Sequence, residues 1–181
     1  VQFESIKTVP NFNDGNYYVG KAGVGPHRGL CLGMRMALIN YRSPGELNDR
    51  FLRSWQSGVS PLGGGGRFAV ESYLDFHGNK FTRRFDANSY ITLVEAMNSH
   101  DVGRGRGGVA EALSTIKIPS LVVGITTDRL FPIQDQQLIA DHIGGPLVGG
   151  ELRVIESAYG HDGFLIERDI VGPMIAELLG A

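Results

Sequence analysis

The sequence predicts an α/β fold in which the last strands of a parallel sheet, with their flanking helices, follow an inserted helical region. Three observations lead there. Residues 109–178 read as helix, strand, loop, helix, strand, loop, helix, the order expected when crossover helices connect parallel strands. The run at 118–125, Ile-Pro-Ser-Leu-Val-Val-Gly-Ile, is apolar without polar alternation, as in a strand buried on both faces. Residues 1–108, by contrast, carry helical periodicities and no strand pattern. Two strands make no stable parallel sheet alone, so further strands are expected from a portion of the molecule outside these 181 residues.

In order along the chain, residues 1–24 are expected to be a connector leaving that other portion. Leu30, Met34, Ala37, Leu38 and Tyr41 recur at helical spacing and line one face of a helix of about four turns. Ser43-Pro44 stops it, and residues 46–55 form a second helix before the glycine run 63–66, a flexible connector. Phe68, Ser72, Tyr73 and Phe76 mark a third helix, with His77-Gly78-Asn79 as its stop signal. Asp86 is the expected N-cap of a fourth, whose face carries Tyr90, Val94 and Met97 until about Asp101. Short helices joined by glycine-rich turns read as a lid, residues 25–108, inserted into another domain. The α/β segment, residues 109–181, opens with a short helix at 109–116. After the apolar strand come a loop at 126–132, a helix at 134–143, a strand at 151–155 and a loop at 157–163. A last helix at 166–178 should have Pro173 near its start.

Composition narrows the function. With 42% hydrophobic and 20% charged residues the chain is that of an ordinary folded domain, and a formal net charge of −2 provides no basic surface for nucleic acid or an anionic membrane. The single cysteine, Cys31, excludes an intrachain disulfide and fits a reducing compartment, so the cytoplasm is expected. No run of about 18 apolar residues and no leader pattern is present. No His, Asp or Glu cluster has metal-site spacing, and no Gly-x-Gly-x-x-Gly follows a strand, so neither a metal nor a bound cofactor is expected.

In open parallel sheets, catalytic groups gather in loops at the carboxyl ends of strands. The first such loop holds Thr127-Asp128-Arg129 and the second Tyr159-Gly160-His161-Asp162-Gly163. Acid then base on successive strand ends matches the last two members of the α/β-hydrolase triad, ordered Ser, Asp/Glu, His. The imidazole takes the proton of a serine hydroxyl, and the carboxylate fixes the tautomer and stabilises the imidazolium. Taken singly, Asp128 also reads as a turn former and His161 as a structural loop residue. Gly160 and Gly163 should let the loop turn tightly. The nucleophile is not evident: Ser60 is followed by Pro61 with no strand before it, and Cys31 falls inside a helix.

Three segments carry a resemblance: Phe85-Asp86-Ala87-Asn88-Ser89-Tyr90, then residues 99–108 (Ser-His-Asp-Val-Gly-Arg-Gly-Arg-Gly-Gly), and Tyr159-Gly160-His161-Asp162-Gly163-Phe164-Leu165. With Gly124-Ile125-Thr126-Thr127-Asp128-Arg129-Leu130-Phe131-Pro132, they resemble the homoserine O-acetyltransferase family from about Pro10 to the end. The resemblance implies the C-terminal half of an α/β-hydrolase fold. It also implies acetyl transfer from acetyl-CoA, a co-substrate, to the side-chain hydroxyl of L-homoserine in methionine biosynthesis. The acetylated serine would lie in the N-terminal half, outside this chain, and the protein would be a homodimer formed through the lid helices. Asp128 would be the orienting acid, His161 the base, and Asp162 a contact to the substrate ammonium.

Tyr41 resembles a lid tyrosine at the substrate tunnel, its other reading being a core aromatic. The family places an arginine seven residues before this tyrosine, where this chain has Met34. Neighbouring Arg35 would point about 100° away on a helix, which leaves the anion-binding role unassigned. Arg104 and Arg106, between glycines, fit either a grip on coenzyme phosphates or a hinge with local pairing to Asp101. Competing functions are transfer of another acyl group such as succinyl, a different acceptor such as serine, simple ester hydrolysis, or a non-catalytic lid and dimerisation module.

Overall fold

The computed structural model describes residues 1–21 and 23–180. They form two compact units, one of residues 1–39 and 48–99, the other of residues 40–47 and 100–181.

The first unit is helical. It contains α1 (Gln2–Lys7), α2 (His27–Tyr41, whose last two residues belong to the second unit), the second half of α3 (Pro44–Phe51), α4 (Ala69–Thr82) and α5 (Ala87–Ser99). Its core joins Ile6, Phe12, Leu30, Ala87, Tyr90 and Ile91, with Phe3, Tyr17, Phe81, Phe85 and Val94 against them. Residues 1–24 are therefore more than a connector. Ile6 is fully buried, and α1 approaches α2 so closely that a Cβ on Gly29 would stand 2.1 Å from the Ser5 carbonyl oxygen. The third helix also runs past its expected stop. Gly78 lies mid-helix because a Cβ there would meet Cys31 Sγ at 2.6 Å, so the glycine serves helix contact and not termination. The glycine run 63–66 closes an ordered turn: Trp55 bridges Phe68 in antiparallel fashion, and Gly66 N–H donates to the Ser60 carbonyl at 3.0 Å.

Asp86 caps α5 as expected, its Oδ2 accepting from the Ser89 backbone N–H at 2.8 Å. Its two oxygens also accept the hydroxyls of Tyr17 and Tyr18, which ties residues outside the helix to its first turn. Burial alone would raise the Asp86 carboxyl, but the hydrogen bonds from Tyr17, Ser89 and Tyr18 outweigh it and hold it below the usual aspartate range. Burial, joined by the same pairing with Asp86, pushes the Tyr17 phenol well above its ordinary value.

The second unit holds α6 (Val109–Ser114), β1 (Val123–Ile125), α7 (Ile133–His142), β2 (Arg153–Ile155), α8 (Gly163–Ile166) and α9 (Arg168–Leu179). The strands pair in parallel with Val123 opposite Arg153 and Ile125 opposite Ile155, and α7 crosses between them. Val122, Ala140 and Leu152 form the core, joined by Ile133, Ile139, Ile143 and Leu147.

The apolar run at 118–125 is not one continuous strand. Ser120 bridges Leu147, and only Val123 onward pairs with β2. The opposing segment of the same chain spends extra residues between these two stretches, turning through Gly149 and Gly150 at φ 81° and 80°, and the ladder is interrupted there. The closing helix is likewise divided, with α8 separate from α9 at Glu167. Pro173 falls inside α9 and not near its start, which removes one backbone donor. Among the described residues no helix is long and apolar enough to cross a membrane.

Candidate active site

Both strand ends deliver what the sequence placed there. Thr126 N–H donates to the Ile155 carbonyl at 3.1 Å, so β1 and β2 remain registered to the point where their loops begin. Asp128 stands in the loop after β1, beyond Thr126 and Thr127, and its Oδ1 accepts the backbone N–H groups of Leu130 and Phe131 at 2.8 and 2.9 Å. That Asx-type turn fixes the carboxylate plane. The other oxygen, Oδ2, lies 2.8 Å from Nδ1 of His161, with the Asp128 side chain only 8% exposed and that of His161 21%. A buried carboxylate on Nδ1 sets the imidazole tautomer and leaves Nε2 to exchange protons.

The His161 ring is held among three aromatic rings, Phe131 at 5.2 Å, Phe164 at 5.5 Å and Tyr41 at 5.6 Å between centroids. A cavity of about 160 Å³ opens beside the pair, lined by Gly124, Ile125, Asp128, Phe131, His161 and Phe164 among others. Tyr41 thus packs against the His161 ring, where the sequence left a tunnel and a core role both open. Burial pushes its phenol above the ordinary value, and the Asp162 charge adds to that.

Asp162 faces Arg42, whose Nε lies 3.0 Å from Oδ2, while the same guanidinium reaches to 3.6 Å from Glu46. Sequence reasoning passed over Arg42, although it stands beside Tyr41. Ser43 adds a second tie, donating its hydroxyl to the Ala158 carbonyl and accepting the Glu46 N–H at 3.0 Å as the N-cap of α3. Gly160 turns at φ 65° as its loop requires, and a Cβ on it would meet the Tyr41 carbonyl oxygen at 2.6 Å. Gly163 has an ordinary helical φ of −53°, so tight turning is not its reason; a Cβ there would press on Ile125 and Ser157 at 3.0–3.1 Å.

The other candidates have local partners. Arg35 pairs with Asp75 at 2.8 Å. Arg104 lies 3.8 Å from Asp101, and Arg106 donates to the Val102 carbonyl at 2.8 Å, the arrangement of the hinge reading. Ser60 accepts the Leu62 N–H in an exposed turn, and Cys31 lies against Gly78 on α2, neither at a strand-to-helix elbow.

No family model matches the chain. Curated relatives do: a homoserine O-acetyltransferase of Clavibacter michiganensis subsp. michiganensis is 64% identical over 179 residues, covering 99% of this chain and 46% of the relative. Another, of Leifsonia xyli subsp. xyli, is 62% identical over 181 residues, 100% of this chain and 45% of the relative. Among solved structures, the homoserine O-acetyltransferase of Bacillus anthracis superposes with a TM-score of 0.80 at 22% identity, over 98% of this chain and 47% of that one. An acetylester hydrolase from Corynebacterium glutamicum gives 0.72 at 24%, over 96% and 45%. The fold is accordingly part of an α/β-hydrolase fold. The chain spans about half the length of the curated relatives it matches, and it belongs to the homoserine O-acetyltransferase family as a counterpart of the C-terminal half.

Proposed function

We propose that the protein to which this chain contributes moves an acetyl group from acetyl-CoA to the hydroxyl of L-homoserine. The observation that carries the proposal is the 2.8 Å contact of Asp128 with His161 at the ends of adjacent parallel strands, on a chain this similar to homoserine O-acetyltransferases. In the mechanism we infer, His161 takes the proton of a serine hydroxyl supplied from outside these residues, and the serine oxygen attacks the thioester carbonyl. The carbon–sulfur bond breaks, and the departing thiolate receives the proton from His161. Homoserine then gives its hydroxyl proton to His161 and attacks the acetyl carbonyl; the ester bond to the serine oxygen breaks, and the proton passes from His161 to that oxygen. Asp128 holds the imidazole and balances its charge in both halves of the cycle.

Asp162 is the proposed partner of the substrate ammonium. Arg42 already lies against it, so the ammonium would share that carboxylate with the guanidinium. A homodimer through the helical unit is part of the proposal, supported by the exposed Leu93 and Met97 on α5 and Leu32 and Ile39 on α2.

The test uses the full-length protein with acetyl-CoA or succinyl-CoA against homoserine, serine and water. Acetyl transfer to homoserine is expected, falling roughly 10⁴-fold in kcat in Asp128→Asn, as when a triad carboxylate is neutralised. Exclusive succinyl transfer, or hydrolysis without transfer, would overturn the proposal.

A further inference from the structure

Asp128 and His161 sit on loops separated by 33 positions, and their hydrogen bond alone does not fix how those loops lie against each other. One side chain does. The Thr127 hydroxyl donates to the Ser157 carbonyl at 2.6 Å and accepts the Gly160 backbone N–H at 3.0 Å. It therefore uses both its donor and an acceptor lone pair across the gap. Thr127 directly precedes Asp128, and Gly160 directly precedes His161. Ser157 is buried at 8% exposure, so these bonds close where water does not readily replace them.

From this geometry we propose that Thr127 is a positioning residue for the acyl-transfer reaction, a staple that sets the separation of the acid and the base. The inference rests on the function proposed above for its kinetic arm and on geometry alone for its spectroscopic arm. Loss of both bonds frees the Gly160 N–H and lets the His161 loop slide relative to Asp128. A displacement near 1 Å costs on the order of 10²-fold in rate. Substrate binding through Asp162, on the same loop but also held by Arg42 at 3.0 Å, is affected less than the acid–base alignment.

The test compares Thr127→Val, which keeps shape and removes both bonds, with Thr127→Ser, which keeps both. In the full-length protein the Val variant is expected to lose about 30–100-fold in kcat with KM changed less than about 3-fold, and the Ser variant to recover to within about 3-fold. Proton NMR follows the His161 Nδ1–H held by Asp128: its far-downfield resonance should persist in the parent and the Ser variant and broaden away in Val. A Val variant that retains both the resonance and kcat overturns the proposal. Loss of the resonance without any measurable transfer by the parent upholds the staple while removing the proposed reaction. Should Val fail to fold, Thr127→Cys, a similar volume with a weak hydrogen-bonding thiol, is read by the same criteria.

Discussion

Replacing Gly160 by alanine tests how tightly the histidine loop is seated. Two penalties add at this position. The backbone is left-handed at φ 65°, which costs an L-residue roughly 1–2 kcal/mol. The new Cβ would also stand 2.6 Å from the Tyr41 carbonyl oxygen, 2.8 Å from the Ser43 N and 3.0 Å from the Arg42 carbonyl carbon, all backbone atoms that cannot rotate away. Overpacking of this kind costs about 1–3 kcal/mol, so the sum is about 2–5 kcal/mol. For a chain of this size that lowers Tm by roughly 5–15 °C. Gly150→Ala is the control. Its φ is 80° and nothing lies within 4 Å of its Cβ, so only the left-handed penalty applies and the fall should stay at roughly 2–6 °C. Thermal denaturation followed by circular dichroism separates the two. Equal melting temperatures would refute the claim that residues 41–43 are packed onto the histidine loop.

Further outcomes follow from the other contacts described above. Asp86→Ala removes an N-cap and should destabilise the helical unit by about 1–2 kcal/mol in urea denaturation, with Asp86→Asn recovering part of it. Because hydrogen bonds depress the folded-state Asp86 carboxyl, its contribution is complete above the ordinary aspartate range and fades as pH falls through the lowered folded value. An acid titration of unfolding should therefore show a smaller loss of stability in Asp86→Asn than in the parent. Arg42→Met removes the guanidinium that Asp162 and Glu46, 20% and 10% exposed, share, and should destabilise by about 1–3 kcal/mol in chemical denaturation. Gly78→Ala forces α4 off Cys31 and should cost about 1–3 kcal/mol despite alanine's better helix propensity; a gain in Tm would show that the two helices are not in contact there.

Much of this was legible where the signal is local. The N-cap at Asp86, the helix through Leu30 and Tyr41, and the placement of Asp128 and His161 after successive strands all rest on periodicity or on position relative to an element. What escaped depends on what lies across a gap. Gly78 carries the same letters as a helix stop, and only the nearness of Cys31 reveals why the helix continues. Residues 1–24 show no long periodic stretch, yet Ile6 and Phe12 enter the core through short turns. The apolar run at 118–125 looked like one strand because apolarity does not disclose that its partner makes a detour at Gly149 and Gly150. Thr127 and Arg42 act through loops remote in sequence, so their neighbours in the chain offered no hint beyond adjacency to Asp128 and Tyr41.

The segment Gly160–Asp162 and the glycine after it show four successive positions with four separate obligations. Gly160 admits the backbone of residues 41–43, His161 meets Asp128, Asp162 meets Arg42, and Gly163 yields room to Ile125 and Ser157. No position there is a spacer, so an insertion or deletion of one residue breaks all four contacts together. Variation in what the site accepts must then come from elsewhere. The rings of Tyr41, Phe131 and Phe164 touch the same imidazole from outside that segment, and they can be exchanged without altering its spacing. In a mutational scan, the tetrapeptide should read as a block that tolerates nothing, ringed by three positions where change alters preference before it abolishes turnover.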